Sequence, residues 1–337
     1  MSHYGSIKND LKNDLKEYIN TDYKGASHME KNKRYVIKSL IGLFAATTLI
    51  LLRSAAAQDV EPEVPFVPTP LIVVEQMLKM VQVGKDDVLY DLGCGDGRIV
   101  ITAAKKFGCR GIGIDIDPER IRDSRKNAIE AGVQDRVQFK QMDLFQADIS
   151  EATVVTLYLL TEVNLRLRPI LLRELKPGTR VVSHEFNMGK WEPDESTTVR
   201  TGDQENPFVE DYWNLYEMDY WDSHQVYFWI IPANVTGTWK VTIPDITGKN
   251  ELTLKLDQEF QRVRGEAFED ISPLPVFIKD EKIKGNILQF TIERKLKGRT
   301  ETMHFEGRVE SHIMQGILKI EGRPGKEKIQ WKAKRVN

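Results

Sequence analysis

Asp87-Val-Leu-Tyr-Asp91-Leu-Gly93-Cys-Gly95-Asp96-Gly97 begins as a short apolar run and ends in three glycines at alternate positions. The run reads as a buried strand, and Gly97 to Phe107, apolar at helical spacing, reads as the helix that follows. Alternating glycines let the backbone turn sharply and approach a ligand without side-chain clash. The helix N-terminus beyond them presents free N–H groups. Dinucleotide folds space these glycines as G-x-G-x-x-G. Here they run G-x-G-x-G, with Asp91 two residues ahead.

Outward from this loop, strands and helices alternate. Residues 71–82 carry Val73, Val74, Met77, Leu78 and Val81 on one helical stripe. Arg110–Asp115 is a second strand, Pro118–Ala131 a helix stopped by Gly132, Val137–Met142 a third strand and Thr153–Leu160 a fourth. A helix with Leu165, Leu167, Ile170, Leu171 and Leu175 follows, closed by Lys176-Pro-Gly178; Arg180–Phe186 is a fifth strand and Gln225–Ile231 the last. This spacing predicts an α/β domain over 71–232, a Rossmann-like parallel sheet covered on both faces. After Pro232 the texture changes. Leu252, Leu254 and Leu256, then Leu288, Phe290 and Ile292, alternate with polar residues. Period two predicts antiparallel strands with one solvated face, an all-β meander over 235–337 forming a barrel or sandwich.

Acids recur where the predicted strands end. Asp115 closes the second strand and suits a ribose, with Asp117 as its competitor. Asp143, after the third strand, suits an adenine amino group or a helix cap. Acids at three consecutive strand ends, with no basic group for a phosphate, suit a nucleoside without pyrophosphate. S-adenosylmethionine (SAM) is such a ligand.

Hydrophobic residues at 41 % and charged residues at 29 % give an ordinary globular balance over 337 residues. A net charge of −2 excludes a generally basic surface, and the tail Lys326, Lys328, Lys332, Lys334, Arg335 is short, so no nucleic-acid partner is expected. Two cysteines, Cys94 and Cys109, build neither a disulfide scaffold nor a Cys-rich metal site, and no metal is expected.

The N-terminus reads differently. Residues 1–28 are polar and aperiodic, a disordered or mis-assigned start ahead of Met29. Residues 29–57 carry a basic cluster, an apolar core and Ala55-Ala-Ala57, the layout of a signal peptide or, if uncleaved, a membrane anchor through residues 36–52. The expectation is a membrane-anchored or exported (periplasm or cell-envelope) protein, at odds with the cytoplasmic supply of SAM. Residues 58–70 form a proline-rich linker.

Asp91–Gly97, Gly113-Ile-Asp-Ile-Asp-Pro118 and Met142-Asp143 resemble the SAM-binding motifs of class I methyltransferases. Val64-Pro-Phe-Val-Pro-Thr-Pro70, Asp96-Gly-Arg-Ile-Val100 and Arg180-Val-Val-Ser-His-Glu-Phe186 resemble the FAM173-type (Dot1-like) protein-lysine methyltransferases and their bacterial relatives. The resemblance spans roughly residues 62–231; the C-terminal β region departs from the animal pattern. It implies a methyltransferase whose acceptor is an amine, foremost a protein lysine. Asp91 with Gly93, Gly95, Asp96 and Gly97 would hold the methionine portion, Asp115 the ribose and Asp143 the adenine. Leu157 and Tyr158 would line the methyl-transfer channel, and Pro65–Thr69 would fold over the cofactor as a lid.

Competing readings stand beside these. Asp91 also suits loop amides, Tyr158 the core, and His184 a packed position in its strand. The aromatics Tyr212-Trp213, Tyr216, Tyr220-Trp221 and Tyr227-Phe-Trp229 suit a substrate platform or packing between domains. For the whole chain the alternatives are a small-molecule methyltransferase and an exported envelope binding protein with a vestigial SAM fold.

Overall fold

A computed structural model of the protein describes residues 64–201, 223–244, 251–269, 274–296, 299–322 and 328–336. They belong to one compact unit spanning Pro62–Asn337. Helix α1 (Leu71–Met80) buries Val73, Val74, Met77 and Leu78, the stripe its sequence carries. Strand β1 (Val88–Leu92) is buried along its whole length. Helix α2 (Arg98–Phe107) lies between two left-handed glycines, Gly97 and Gly108. There follow β2 (Arg110–Asp115), α3 (Pro118–Glu130), β3 (Val137–Gln141), β4 (Val154–Leu157), α4 (Thr161–Glu174) and β5 (Arg180–His184). The sheet is completed by β6 (Glu195–Arg200) and β7 (Ser223–Ile230) in the order β3-β2-β1-β4-β5-β7-β6.

The first five strands run parallel. Leu89 points into the layer under α1, α2 and α3, while Val88, Tyr90 and Leu92 point into the layer under α4. Both faces are therefore dry. β7 and β6 are antiparallel, a departure from the all-parallel expectation. The cause is connectivity, because a parallel crossover needs a dozen or more residues, usually a helix, and β5 reaches β6 without one. β6 escaped sequence analysis because, of Glu195-Ser-Thr-Thr-Val-Arg200, only Val199 is buried. The strand order reverses between β1 and β4, which places the ligand crevice at their C-terminal ends.

The second sheet comprises β8 (Gly237–Thr242), β9 (Glu251–Glu259), β10 (Arg262–Glu269), β11 (Val276–Phe277), β12 (Lys279–Lys284), β13 (Ile287–Leu296), β14 (Arg299–Glu310), β15 (Ile313–Ile320) and β16 (Ile329–Val336). Its order is β11-β10-β9-β8-β16-β15-β14-β13-β12, antiparallel throughout. The alternating apolar residues meet in one core around Trp239, Phe290, Phe305 and Trp331. Phe290 stacks on Phe305 at 4.6 Å, and Trp331 meets both edge-on. Arg294 of β13 bridges Glu301 of β14 at 2.7 Å and Glu269 of β10 at 3.0 Å. Since β10 and β13 lie near opposite margins, that contact marks a sheet rolled nearly into a barrel.

The two sheets pack together. Ala233 N–H donates to the Gly285 carbonyl at 2.7 Å, and Trp191 stacks on Phe260 at 5.9 Å. Trp229 meets Trp191 in the same aromatic layer. Tyr212, Trp213, Tyr216, Tyr220 and Trp221 lie outside the described residues.

The expected membrane anchoring or export is corrected: among the described residues no helix is long and apolar enough to cross a membrane. Residues 1–28, the targeting segment 29–57 with its run 36–52, and linker residues 58–63 lie outside the described residues.

Candidate functional site

The glycine loop leaves the C-terminal end of β1 with φ of 83° at Gly93, 52° at Gly95 and 78° at Gly97. The Gly93 and Cys94 amides both donate to the Ile114 carbonyl, at 2.8 and 2.9 Å, binding the loop to the end of β2. Asp115 organises the crest: its Oδ2 accepts from the Gly95 amide at 2.8 Å and its Oδ1 from the Asp117 amide at 2.9 Å. Asp117 is occupied as the cap of α3, accepting from the Glu119 amide at 2.7 Å.

Asp91 is buried beneath the loop. Thr156 Oγ1 of β4 donates to its Oδ1 at 2.7 Å. Burial pushes the carboxyl up to about 7; the Thr156 hydrogen bond opposes this, and the charges of Asp115 and Asp96 add to it. Asp96 is paired with Arg98, Oδ2 to Nη2 at 2.6 Å. Arg98 also donates to the Thr69 carbonyl at 2.9 Å. Thus the cation nearest the loop is held by a carboxylate, and the cradle is left acidic.

Asp143 Oδ1 accepts from the Phe145 amide at 2.9 Å and caps a short 3-10 turn, Leu144–Gln146. Residues Pro65–Thr69 run across the loop, where a Cβ at Gly95 would lie 2.4 Å from the Phe66 ring. The Arg120 guanidinium stacks on the other side of that ring at 4.8 Å. Leu157 is fully buried in the layer under α4. Tyr158, half-buried one residue on, lies with its ring 4.0 Å from that of His184. Burial, with the Glu185 charge adding, pushes its phenol up to about 12, so it stays protonated at neutral pH.

His184 is not alone in its strand. Its Nε2 is 2.9 Å from His224 Nδ1, and its Nδ1 is 3.2 Å from Thr69 Oγ1. Burial lowers the imidazole to about 3, and His224 adds to the effect, so the ring is neutral. The structure thus gathers Asp91, Gly93, Gly95, Asp96, Gly97 and Asp115 around one loop, with Tyr158 and Asp143 at neighbouring strand ends. Sequence analysis missed Thr156, Thr69 and His224. Their only signal was a polar residue in an apolar run, which has no reading until the partner is known.

The family described as "ANTKMT methyltransferase domain" matches residues 91–195. A protein-lysine N-methyltransferase of Saccharolobus islandicus (strain REY15A) is 54 % identical over 142 residues, 42 % of this chain and 88 % of that protein. An ATP synthase lysine N-methyltransferase of Homo sapiens is 32 % identical over 176 residues, 51 % of this chain and 73 % of that protein. A crystal structure of an RNA methyltransferase from Salinibacter ruber with S-adenosyl-L-homocysteine is 53 % identical in sequence, covers 50 % of this chain and 96 % of its own, and has a TM-score of 0.42. The chain belongs to the FAM173/ANTKMT-like family of class I methyltransferases, enzymes that take their methyl group from S-adenosyl-L-methionine.

Proposed function

We propose that the enzyme methylates the ε-amino group of a lysine in a protein substrate. The observation that carries the acceptor is the 54 % identity to a protein-lysine N-methyltransferase across 88 % of that relative.

The residues fit the cofactor. A positively charged sulfonium with an ammonium group suits a cradle whose acids, Asp91, Asp96 and Asp115, outnumber its one paired cation, Arg98. The crest at Gly95 approaches Phe66 so closely that any side chain there would fill the cradle. When bound, SAM supplies an activated methyl group on an excellent leaving group. Asp91 and the backbone of Gly93, Gly95, Asp96 and Gly97 hold the methionine end. Asp115, already braced by two amides, faces the ribose, and the outer oxygen of Asp143 serves the adenine. Phe66 and its neighbours exclude water from above.

The chain's remaining task is to present a neutral amine in line, since proximity and alignment carry most of such a reaction. The Tyr158 ring borders that approach and, being half-buried and uncharged, lowers the acceptor's pKa by desolvation. Leu157 backs Tyr158 from within the core. We assign this catalytic machinery to residues 71–232 and treat 235–337 as a second domain packed beside it.

The test is methyl transfer from labelled SAM by the full chain, with lysine-bearing proteins, RNA and small amines offered in parallel. Label on protein that survives RNase and maps to lysine supports the proposal. Label confined to RNA or small amines overturns it.

A further inference from the structure

Three side chains converge at the C-terminal end of β5 without a part in the chemistry above. His184 Nε2 lies 2.9 Å from His224 Nδ1, His224 Nδ1 lies 3.2 Å from Glu185 Oε1, and Glu185 Oε1 lies 3.6 Å from His184 Nε2. One proton cannot satisfy that triangle, because whichever nitrogen carries it, at least one contact is left between two lone pairs. A single cation satisfies all three. A point about 2.1 Å from each atom, the usual zinc–nitrogen and zinc–oxygen distance, sits roughly 1 Å out of their plane. That is close to the height of a tetrahedral ion above a face of its ligands, and it leaves one position open.

Two further features are those of a built site. Glu185 has a φ of 62°, a left-handed conformation that costs a non-glycine residue energy and clusters at functional positions. That twist turns its carboxylate back towards the imidazoles, where the Gln225 amide fixes Oε1 at 3.1 Å. The second nitrogen of His184 meets Thr69 Oγ1, the kind of outer partner that sets the tautomer and orientation of a metal-bound imidazole. Both histidines are buried and Glu185 is nearly so.

We propose that His184, His224 and Glu185 form a three-ligand site for one divalent transition-metal ion, with zinc as the first candidate. Two imidazoles and a carboxylate are the donor set of sites that keep a coordination position free. The ion is a positioning element. It fixes the His184 ring, whose face carries Tyr158 and whose Nδ1 holds Thr69. Through the Thr69 carbonyl, the contact continues to Arg98 and Asp96 beside the glycine loop.

The test uses the full chain, stripped with a chelator and titrated with Zn2+ and then with Co2+, whose visible absorption reports four-coordinate binding. The expected result is one equivalent bound, retained through gel filtration. In His224→Ala and Glu185→Gln the affinity should fall by at least ~100-fold, and in Thr69→Val by ~10-fold, the range of an outer-partner loss. Circular dichroism confirms that each variant is folded, and SAM binding is followed separately, so failure of the metal site leaves the methyltransferase reading intact. Absence of saturable binding by the folded wild-type chain overturns the proposal, as does equal affinity in the folded His224→Ala variant.

Discussion

The Phe66 ring lies against the crest of the glycine loop, so that a β-carbon added to Gly95 would come within 2.4 Å of it. This contact joins the segment before α1 to the loop after β1, closing the cradle from above. Gly95→Ala should therefore weaken SAM binding by ~10-fold or more. The steric clash adds to the roughly 1–2 kcal/mol that a left-handed backbone costs an L-residue. Because the clash is with Phe66, Gly95→Ala/Phe66→Ala should recover part of the loss. Calorimetric titration of the two single variants and the double variant reads the coupling, and strict additivity would dissociate the ring from the loop.

Asp91 predicts a pH dependence of fixed sign. Its carboxyl is raised by burial from 3.8 to about 7. Between those values the unfolded chain is ionised and the folded chain protonated, so this group's contribution to stability is full below 3.8 and is lost as pH rises towards 7. At ~1.4 kcal/mol per pKa unit the upper bound is a few kcal/mol. Asp91→Asn should flatten that slope in denaturation curves of the SAM-free protein. An ammonium group beside the carboxylate reverses the preference, so SAM should bind more tightly as pH rises through about 7, with proton release below it. Calorimetry in buffers of different ionisation enthalpy measures the release.

Tyr158 separates positioning from cofactor binding. Tyr158→Phe keeps the ring stacked on His184, whereas Tyr158→Ala removes it. With the proposed acceptor, Tyr158→Ala should lower kcat/KM by ~10- to 100-fold with little change in SAM affinity, the loss expected when an alignment contact goes. Tyr158→Phe should lie much closer to wild type. Steady-state kinetics at saturating SAM distinguish the two.

The rolled sheet depends on Arg294, held between Glu269 and Glu301 with little solvent access. Arg294→Ala would leave two carboxylates facing each other without their cation, and removing one partner from such a cluster costs about 3–5 kcal/mol. The expected result is a clear fall in Tm. Arg294→Ala/Glu269→Gln/Glu301→Gln, which removes the buried charges together, should recover much of it.

The amphipathic stripe of α1, the buried run of β1 and the Gly93–Gly97 loop were legible because each is a local pattern of period or motif. The acids at strand ends were legible for the same reason. Asp115 and Asp117 could not be separated in sequence. In the structure Asp117 caps α3 while Asp115 braces the loop, a difference of backbone direction rather than residue type. β6 was invisible because an edge strand with one buried residue carries no apolar period. Leu157 and Tyr158 looked equivalent as neighbours, yet strand alternation sends one into the core and leaves the other half-exposed.

By itself the sequence determined the five-strand parallel core, the ligand crevice at the end of β1, the acidic character of that crevice and the change to antiparallel texture after Pro232. These follow from side-chain periodicity and from glycine's conformational range, both of which act within a few residues. Only the tertiary structure decided that Asp91 is dry enough to titrate near neutrality, that β7 runs against β5, and that the second sheet rolls until Arg294 reaches Glu269. It also decided that Thr69, His184, Glu185 and His224, from three separate stretches of chain, meet at one point. Burial and convergence depend on which distant segments exclude water from one another, and no local pattern records that.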